Sequence, residues 1–287
     1  MHDVRKKLIV ILGPTASGKT RIAEKLAQEF NSEIVSADSR QIYRGMDIGT
    51  NKSPAYLVDI ADPGQEFTAA QYKELAIKTI KEIQKKDKLP ILVGGTGLYI
   101  QAIVDNLKIP KIKPNQILRK KLEKQSCEQL FNTLKKLDFE TAQNIDKKNK
   151  RRLIRALEVC FAGQKFSQKT KGKKLFDILQ IGIQVDKKIL AQRIDKRVDE
   201  MIEQGLEDEV KSLGENIPET IGYQEFKLVG ATLRGRPKNI AKIANLIKLH
   251  TRQYAKRQST WFKRDKRIKW VKNYEEARSL IKSFLAS

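Results

Sequence analysis

Gly13-Pro14-Thr15-Ala16-Ser17-Gly18-Lys19-Thr20 follows the spacing G-x-x-x-x-G-K-T, a pattern able to cradle phosphate. Two glycines let the backbone turn tightly and bring its N–H groups up to phosphate oxygens. Lys19 adds a compact positive charge, and the Thr20 hydroxyl can ligate a Mg²⁺ that also holds those oxygens. Such a P-loop needs a strand before it and a helix after it. Leu8 to Leu12 is a run of five apolar residues, and Ile22, Ala23, Leu26, Ala27 and Phe30 recur at helical spacing, so both flanks are present. The helix N-terminus adds its own attraction for anions. The loop reads as a di- or triphosphate site and leaves the reaction open.

Two further strand ends should lie beside it. Glu33 to Ala37 reads as a strand ending in Asp38-Ser39-Arg40-Gln41-Ile42-Tyr43, and Leu89 to Val93 as one ending in Gly94-Gly95-Thr96-Gly97. Open α/β sheets bind ligands at the carboxyl ends of their strands, which puts Asp38 and Thr96 near the phosphates. Asp38 keeps two readings here: a carboxylate that takes up a proton or holds Mg²⁺ indirectly, or the cap of a turn.

The elements that must position these residues alternate strand and helix through residue 104, with a helix from Thr68, a good N-cap, to Lys86. The alternation stops near Lys111. Ile117 to about Phe139 reads as charged helices with Leu118, Leu122, Leu130, Leu134 and Leu137 as the buried stripe. A basic run, Lys147 to Arg152, leads into another helix, and Gly163 to Lys174 reads as a mobile loop. Ile178 to Val185 returns as a strand, followed by helices over 187–204, 206–213 and 239–263, a strand at 268–271 and a closing helix. The fold class is therefore α/β: a P-loop parallel-sheet core, residues 1–110 and 176–287, with a helical insertion domain, residues 111–175.

Charge divides along the same line. Residues 1–100 hold 15 basic and 12 acidic residues, whereas the remainder holds 43 and 22. A nearly neutral P-loop half joined to a strongly cationic one points to a polyanionic partner. The long helix near the C-terminus interleaves Arg252, Lys256 and Arg257 with Tyr254, Trp261 and Phe262. That face either grips phosphates or is an ordinary solvated one. Two cysteines, Cys127 and Cys160, make no disulfide framework and fit a reduced, cytoplasmic setting. No apolar run reaches membrane-spanning length.

Taken in order, G-P-T-A-S-G-K-T, S-A-D-S-R-Q-I-Y-R-G-M-D-I-G-T, P-I-L-V-G-G-T-G-L-Y, R-R-L-I-R-A-L-E-V, I-G-Y and T-R-Q-Y-A-K-R-Q-S-T-W-F resemble the tRNA dimethylallyltransferase family, in its bacterial form without a C-terminal zinc finger. The resemblance implies transfer of a dimethylallyl group from dimethylallyl diphosphate to N6 of adenosine 37, 3′ of the anticodon, in tRNAs reading codons that begin with U. It implies that Gly13 through Thr20 hold the diphosphate with Mg²⁺ on Thr20. Asp38 takes the amine proton, and Lys19 and Thr96 sit at the reaction centre. It matches Asp38, Ser39, Arg40, Gln41, Thr96, Arg119, Arg151, Arg152, Leu153, Ile154, Arg155, Gly222 and Tyr223 to contacts with the tRNA anticodon stem-loop, and implies a monomer. The chain departs from the family in a short Asn51 to Tyr56 connection and in Glu219 and Gln224 around Gly222-Tyr223. Two other classes are carried alongside: a P-loop small-molecule or nucleotide kinase, and a non-catalytic RNA-binding protein with a relic P-loop.

Overall fold

A computed structural model describes residues 6–110, 112, 114–168, 171–214, 217–229 and 239–287. The chain forms two compact units, one from Met1–Val104 with Leu175–Ser287 and one from Asp105–Lys174. The division falls at 104/105 and 174/175, a few residues from the limits expected at 110/111 and 175/176.

The first unit is built on five parallel strands: β1 (Lys7–Leu12), β2 (Ser32–Ser36), β3 (Leu89–Gly94), β4 (Asp177–Ile183) and β5 (Lys269–Val271). Their order is β2-β3-β1-β4-β5, with Leu12 in register with Gly94 on one side and Gly182 on the other. The connection after β1 runs to one side of the sheet, to β2, and the connection after its neighbour β3 runs to the other, to β4, so the loop after β1 opens at a topological switch point, the ligand-binding position of such sheets.

Both faces of β1 are covered, which is why its sequence is an uninterrupted apolar run. Leu8, Val10 and Leu12 pack with α2 (Ala69–Lys85), α3 (Gly97–Val104) and Phe262. Ile9 and Ile11 face α1 (Lys19–Glu29) and α12 (Tyr274–Ala286). Thr68 caps α2 as expected, in a reciprocal capping box with Gln71. A third apolar cluster joins the 42–61 loop to α8 (Lys187–Glu203), α9 (Leu206–Leu213), α10 (Gln224–Leu228) and α11 (Ile240–Phe262).

The second unit packs α4 (Gln116–Glu123), α5 (Cys127–Leu137), α6 (Phe139–Asn144) and α7 (Lys150–Phe161) around Leu122, Leu130, Leu134, Leu153 and Leu157. Leu137 departs from the expected stripe and is 42% exposed, because α5 ends there on Asp138, which starts α6. Two short helices, α6 and α10, carry too few turns to leave a periodic signature and go beyond the expected elements. Of the loop read as mobile, residues 169–170 lie outside the described residues, and Phe166–Gln168 forms a 3₁₀ turn.

Candidate active site

The P-loop emerges from β1 with a strained backbone of its own. Gly18 is left-handed at φ 86° and Ala16 sits at φ 59°, the geometry that lets successive N–H groups converge. Thr15, Lys19 and Thr20 line a cleft enclosing about 540 Å³, open to solvent, together with Ser36, Asp38, Gln41, Thr50, Gly94 and Arg197. The pocket does face Asp38, as the strand-end argument requires. Gly13, Pro14, Ala16, Ser17 and Gly18 complete the loop without lining that cleft. Lys19 Nζ donates to the Pro14 carbonyl at 3.2 Å. Burial pushes its ammonium down to about 8, with Asp38 pulling up and Arg197 adding to the fall.

Asp38 caps a turn and also faces the cleft. Its Oδ1 accepts the Arg40 N–H at 2.9 Å, a turn cap, while the residue still lines the cleft beside Lys19. Thr96 is held next to it. The Thr96 N–H donates to the Ala37 carbonyl at 3.2 Å, and its Oγ1 accepts the Ser39 N–H at 3.0 Å. Tyr254 of α11 also hydrogen-bonds Thr96, and burial beside Asp38 pushes its hydroxyl up to about 12. These loops approach so closely that Gly94 admits no side chain: a Cβ there would lie 2.2 Å from the Ala37 carbonyl oxygen.

Three side chains from distant parts of the chain brace the P-loop, and none of them is among the site residues expected from sequence. Arg197 Nη1 donates to Thr15 Oγ1 at 2.8 Å, and Arg193 Nη1 to the Ser17 carbonyl at 3.4 Å. Gln258, buried on the inner face of α11, accepts the Thr15 N–H at 2.8 Å and donates to the Gly95 carbonyl at 2.9 Å. The available signals were slight: arginines spaced i, i+4 beside the Ile194–Val198 stripe, and a glutamine on an apolar helix face. The α11 face splits the two readings of its cations. Arg252 pairs with Asp195, whereas Lys256 and Arg257 remain exposed.

The remaining expected contacts fall into different environments. Gln41 lines the cleft, its amide donating to the Thr50 and Asn51 carbonyls at 3.3 and 3.1 Å. Tyr223 is fully buried and donates its hydroxyl to Glu209 at 2.6 Å, so its side chain is not offered to a ligand. Gly222, at φ 99°, donates its N–H to Glu225 at 2.8 Å. In the second unit, Leu153 and Ile154 are core residues, while Arg151 and Arg152 are exposed. Arg119 and Arg155 share Glu158, at 2.8 and 3.2 Å. Glu158 is 2% exposed. Burial alone would raise its carboxyl pKa, yet bonds from Arg119, the Asn115 N–H and Arg155 hold it below the usual range. Among the described residues no His, Cys, Asp or Glu cluster is placed to hold a metal ion, and no helix is long and apolar enough to cross a membrane.

A sequence profile described as IPP transferase matches residues 41–265. The tRNA dimethylallyltransferase of Halothermothrix orenii (strain H 168) is 42% identical over 310 aligned positions, covering 97% of this chain and 93% of that protein. The crystal structure of the full-length tRNA isopentenylpyrophosphate transferase of Bacillus halodurans is similar with a TM-score of 0.69 at 35% identity, covering 98% of this chain and 96% of that one. A eukaryotic dimethylallyltransferase, seen in crystallographic snapshots acting on tRNA, is similar at 0.74 and 31% identity, over 89% of this chain and 69% of the other.

Proposed function

The chain belongs to the IPP transferase family, and from that premise we propose that it is a tRNA dimethylallyltransferase. It transfers the dimethylallyl group of dimethylallyl diphosphate to N6 of adenosine 37, 3′ of the anticodon, in tRNAs reading codons that begin with U. The observation that carries the reading is one cleft lined by both the phosphate cradle, Lys19 and Thr20, and a carboxylate, Asp38.

The chemistry assigned to these groups is a displacement. The N6 lone pair attacks C1 of the dimethylallyl group, the C1–O bond breaks, and diphosphate leaves with the bond's electrons. The N6 proton passes to Asp38, which offsets the weak nucleophilicity of an exocyclic amine. Charge develops on the departing diphosphate. P-loop N–H groups, Lys19 and Arg197 are already oriented before the reaction, so stabilising that charge requires little reorganisation. The oxygen donors of this cleft fit Mg²⁺: Thr20 would hold it with the diphosphate oxygens, and there it would supply further neutralisation of the leaving group. The target base must leave the anticodon-loop stack to reach Asp38, and the cationic surface, Arg151 and Arg152 included, suits docking of a folded polyanion. The enzyme works as a cytoplasmic monomer. The kinase reading has no observation in its favour beyond the P-loop itself.

The test is direct. Purified protein is incubated with dimethylallyl diphosphate, Mg²⁺ and unmodified tRNA, without ATP, and the nucleosides are analysed by mass spectrometry. N6-(dimethylallyl)adenosine is expected. No modified nucleoside, or modification only when ATP is added, overturns the reading.

A further inference from the structure

Glu209 lies on α9, outside the P-loop, and its carboxylate accepts four hydrogen bonds. Oε2 takes the backbone N–H groups of Asp47 and Ile48, at 2.9 and 2.7 Å. Oε1 takes the N–H of Gly49 at 3.1 Å and the hydroxyl of Tyr223 at 2.6 Å. Three consecutive backbone N–H groups turned to one side form a concavity that attracts an anion, and here an internal carboxylate occupies it. Leu206 and Val210, on either side of Glu209 along the helix, are buried with Met46 and Tyr223 in one apolar cluster, so the carboxylate is presented from a fixed base. Gly49 lies flat against the Tyr223 ring, where a Cβ would come within 2.4 Å of a ring carbon. The loop is tied further by Lys52, which pairs with Asp47 and Asp59.

The residues that follow this anchor belong to the cleft. Thr50 and Asn51 line it, and their carbonyls hold the Gln41 amide. The Gln41 oxygen in turn accepts the Ser36 hydroxyl at 2.8 Å, and both of these residues also line the cleft. A single carboxylate on α9 thus fixes one wall of the cleft without touching it.

We infer that Glu209 is a positioning residue for the prenyl diphosphate site, holding the 47–51 loop so that Gln41, Thr50 and Asn51 meet the ligand as a preformed wall. The inference rests on the prenyl-transfer reading of the cleft. Glu209→Gln keeps the side chain's shape but turns an amide NH₂ toward the Asp47 and Ile48 N–H groups in one orientation, or toward the Gly49 N–H and a Tyr223 hydroxyl able to accept in the other, so it removes two bonds or one and withdraws the charge that strengthens all four. The Kd of an unreactive dimethylallyl thiolodiphosphate, measured calorimetrically without tRNA, is expected to rise roughly tenfold, because a loosened wall must be ordered when ligand binds. KM for dimethylallyl diphosphate rises in parallel, while kcat at saturation stays within about threefold. Tyr223→Phe removes one bond and leaves the ring against Gly49, so it shifts the same constants in the same direction by about two- to threefold. A purely structural role would lower the melting temperature and the active fraction and leave Kd and KM at the wild-type values. Folded Glu209→Gln with wild-type Kd overturns the inference, and if that variant does not fold, a wild-type Kd for Tyr223→Phe does so. Wild-type protein that fails to bind the thiolodiphosphate overturns the prenyl-transfer reading and this inference with it.

Discussion

Diphosphate binding should become weaker as pH rises through the value at which Lys19 loses its proton. The free site holds this ammonium at about 8, against an ordinary 10.5, because it is buried and faces Arg197, with Asp38 as partial compensation. A bound diphosphate brings negative charge to the same cavity and moves the group back toward its ordinary value. A base whose pKa rises on binding prefers ligand in its protonated form, so affinity is fully present below 8 and is lost above it. If binding restores the ordinary value, then near pH 9 about nine-tenths of free Lys19 is neutral and affinity falls roughly tenfold from its level near pH 7. The assay is calorimetric titration with the unreactive thiolodiphosphate near pH 7, 8 and 9, each in two buffers of different ionisation enthalpy. Lys19→Met is run beside the wild type so that the ligand's own ionisation cancels. Uptake of about 0.9 proton near pH 9 and about 0.1 near pH 7 is expected of the wild type, relative to the variant. Equal proton uptake by the two proteins, with affinity flat over this range, refutes the assignment of Lys19 as a buried diphosphate contact. Folding responds with the opposite sign. The unfolded chain binds the Lys19 proton more tightly, so the burial cost of this charge eases as pH climbs from 8 toward 10.5.

Asp38→Asn preserves the oxygen that caps the Arg40 N–H and removes the base. Single-turnover prenylation should fall about 10²–10⁴-fold with tRNA affinity unchanged, and a variant of near wild-type rate would leave Asp38 as a cap alone. Gln258→Ala strands the Thr15 N–H and the Gly95 carbonyl, so thermal or urea unfolding should report a loss of about 1–3 kcal/mol, with a raised KM for the prenyl diphosphate. Glu158→Gln withdraws the charge shared by Arg119 and Arg155. It should raise the KM for tRNA and leave that for dimethylallyl diphosphate in place, and an unchanged tRNA KM would separate these arginines from RNA binding. Affinity for tRNA should drop steeply with salt, since each phosphate contact releases counterions, and a flat response in filter binding would exclude a phosphate-gripping surface.

Sequence alone determined the P-loop, the strand ends that carry Asp38 and Thr96, the parallel core and the helical second unit. All of these are local statements. Eight residues with two glycines specify the loop, a five-residue apolar run specifies a strand covered on both faces, and helical periodicity shows within two or three turns. The Asp38 ambiguity was also local in origin, since capping a turn and lining a cleft ask for the same short carboxylate. The brace around the loop is different. Gln258 reaches Thr15 across 243 positions of chain and Arg197 reaches it across 182, and neither carries any mark of its partner in its own neighbourhood. Glu209 and Glu158 read as ordinary charged helix positions until folding surrounds them with N–H and guanidinium donors. Tyr223, matched to RNA by sequence, is turned inward by the same packing that seats Gly49 on its ring. Which side chains meet at the cleft was decided by tertiary structure, because hydrogen bonds between segments far apart in the chain depend on how the sheet and its helices bring those segments together.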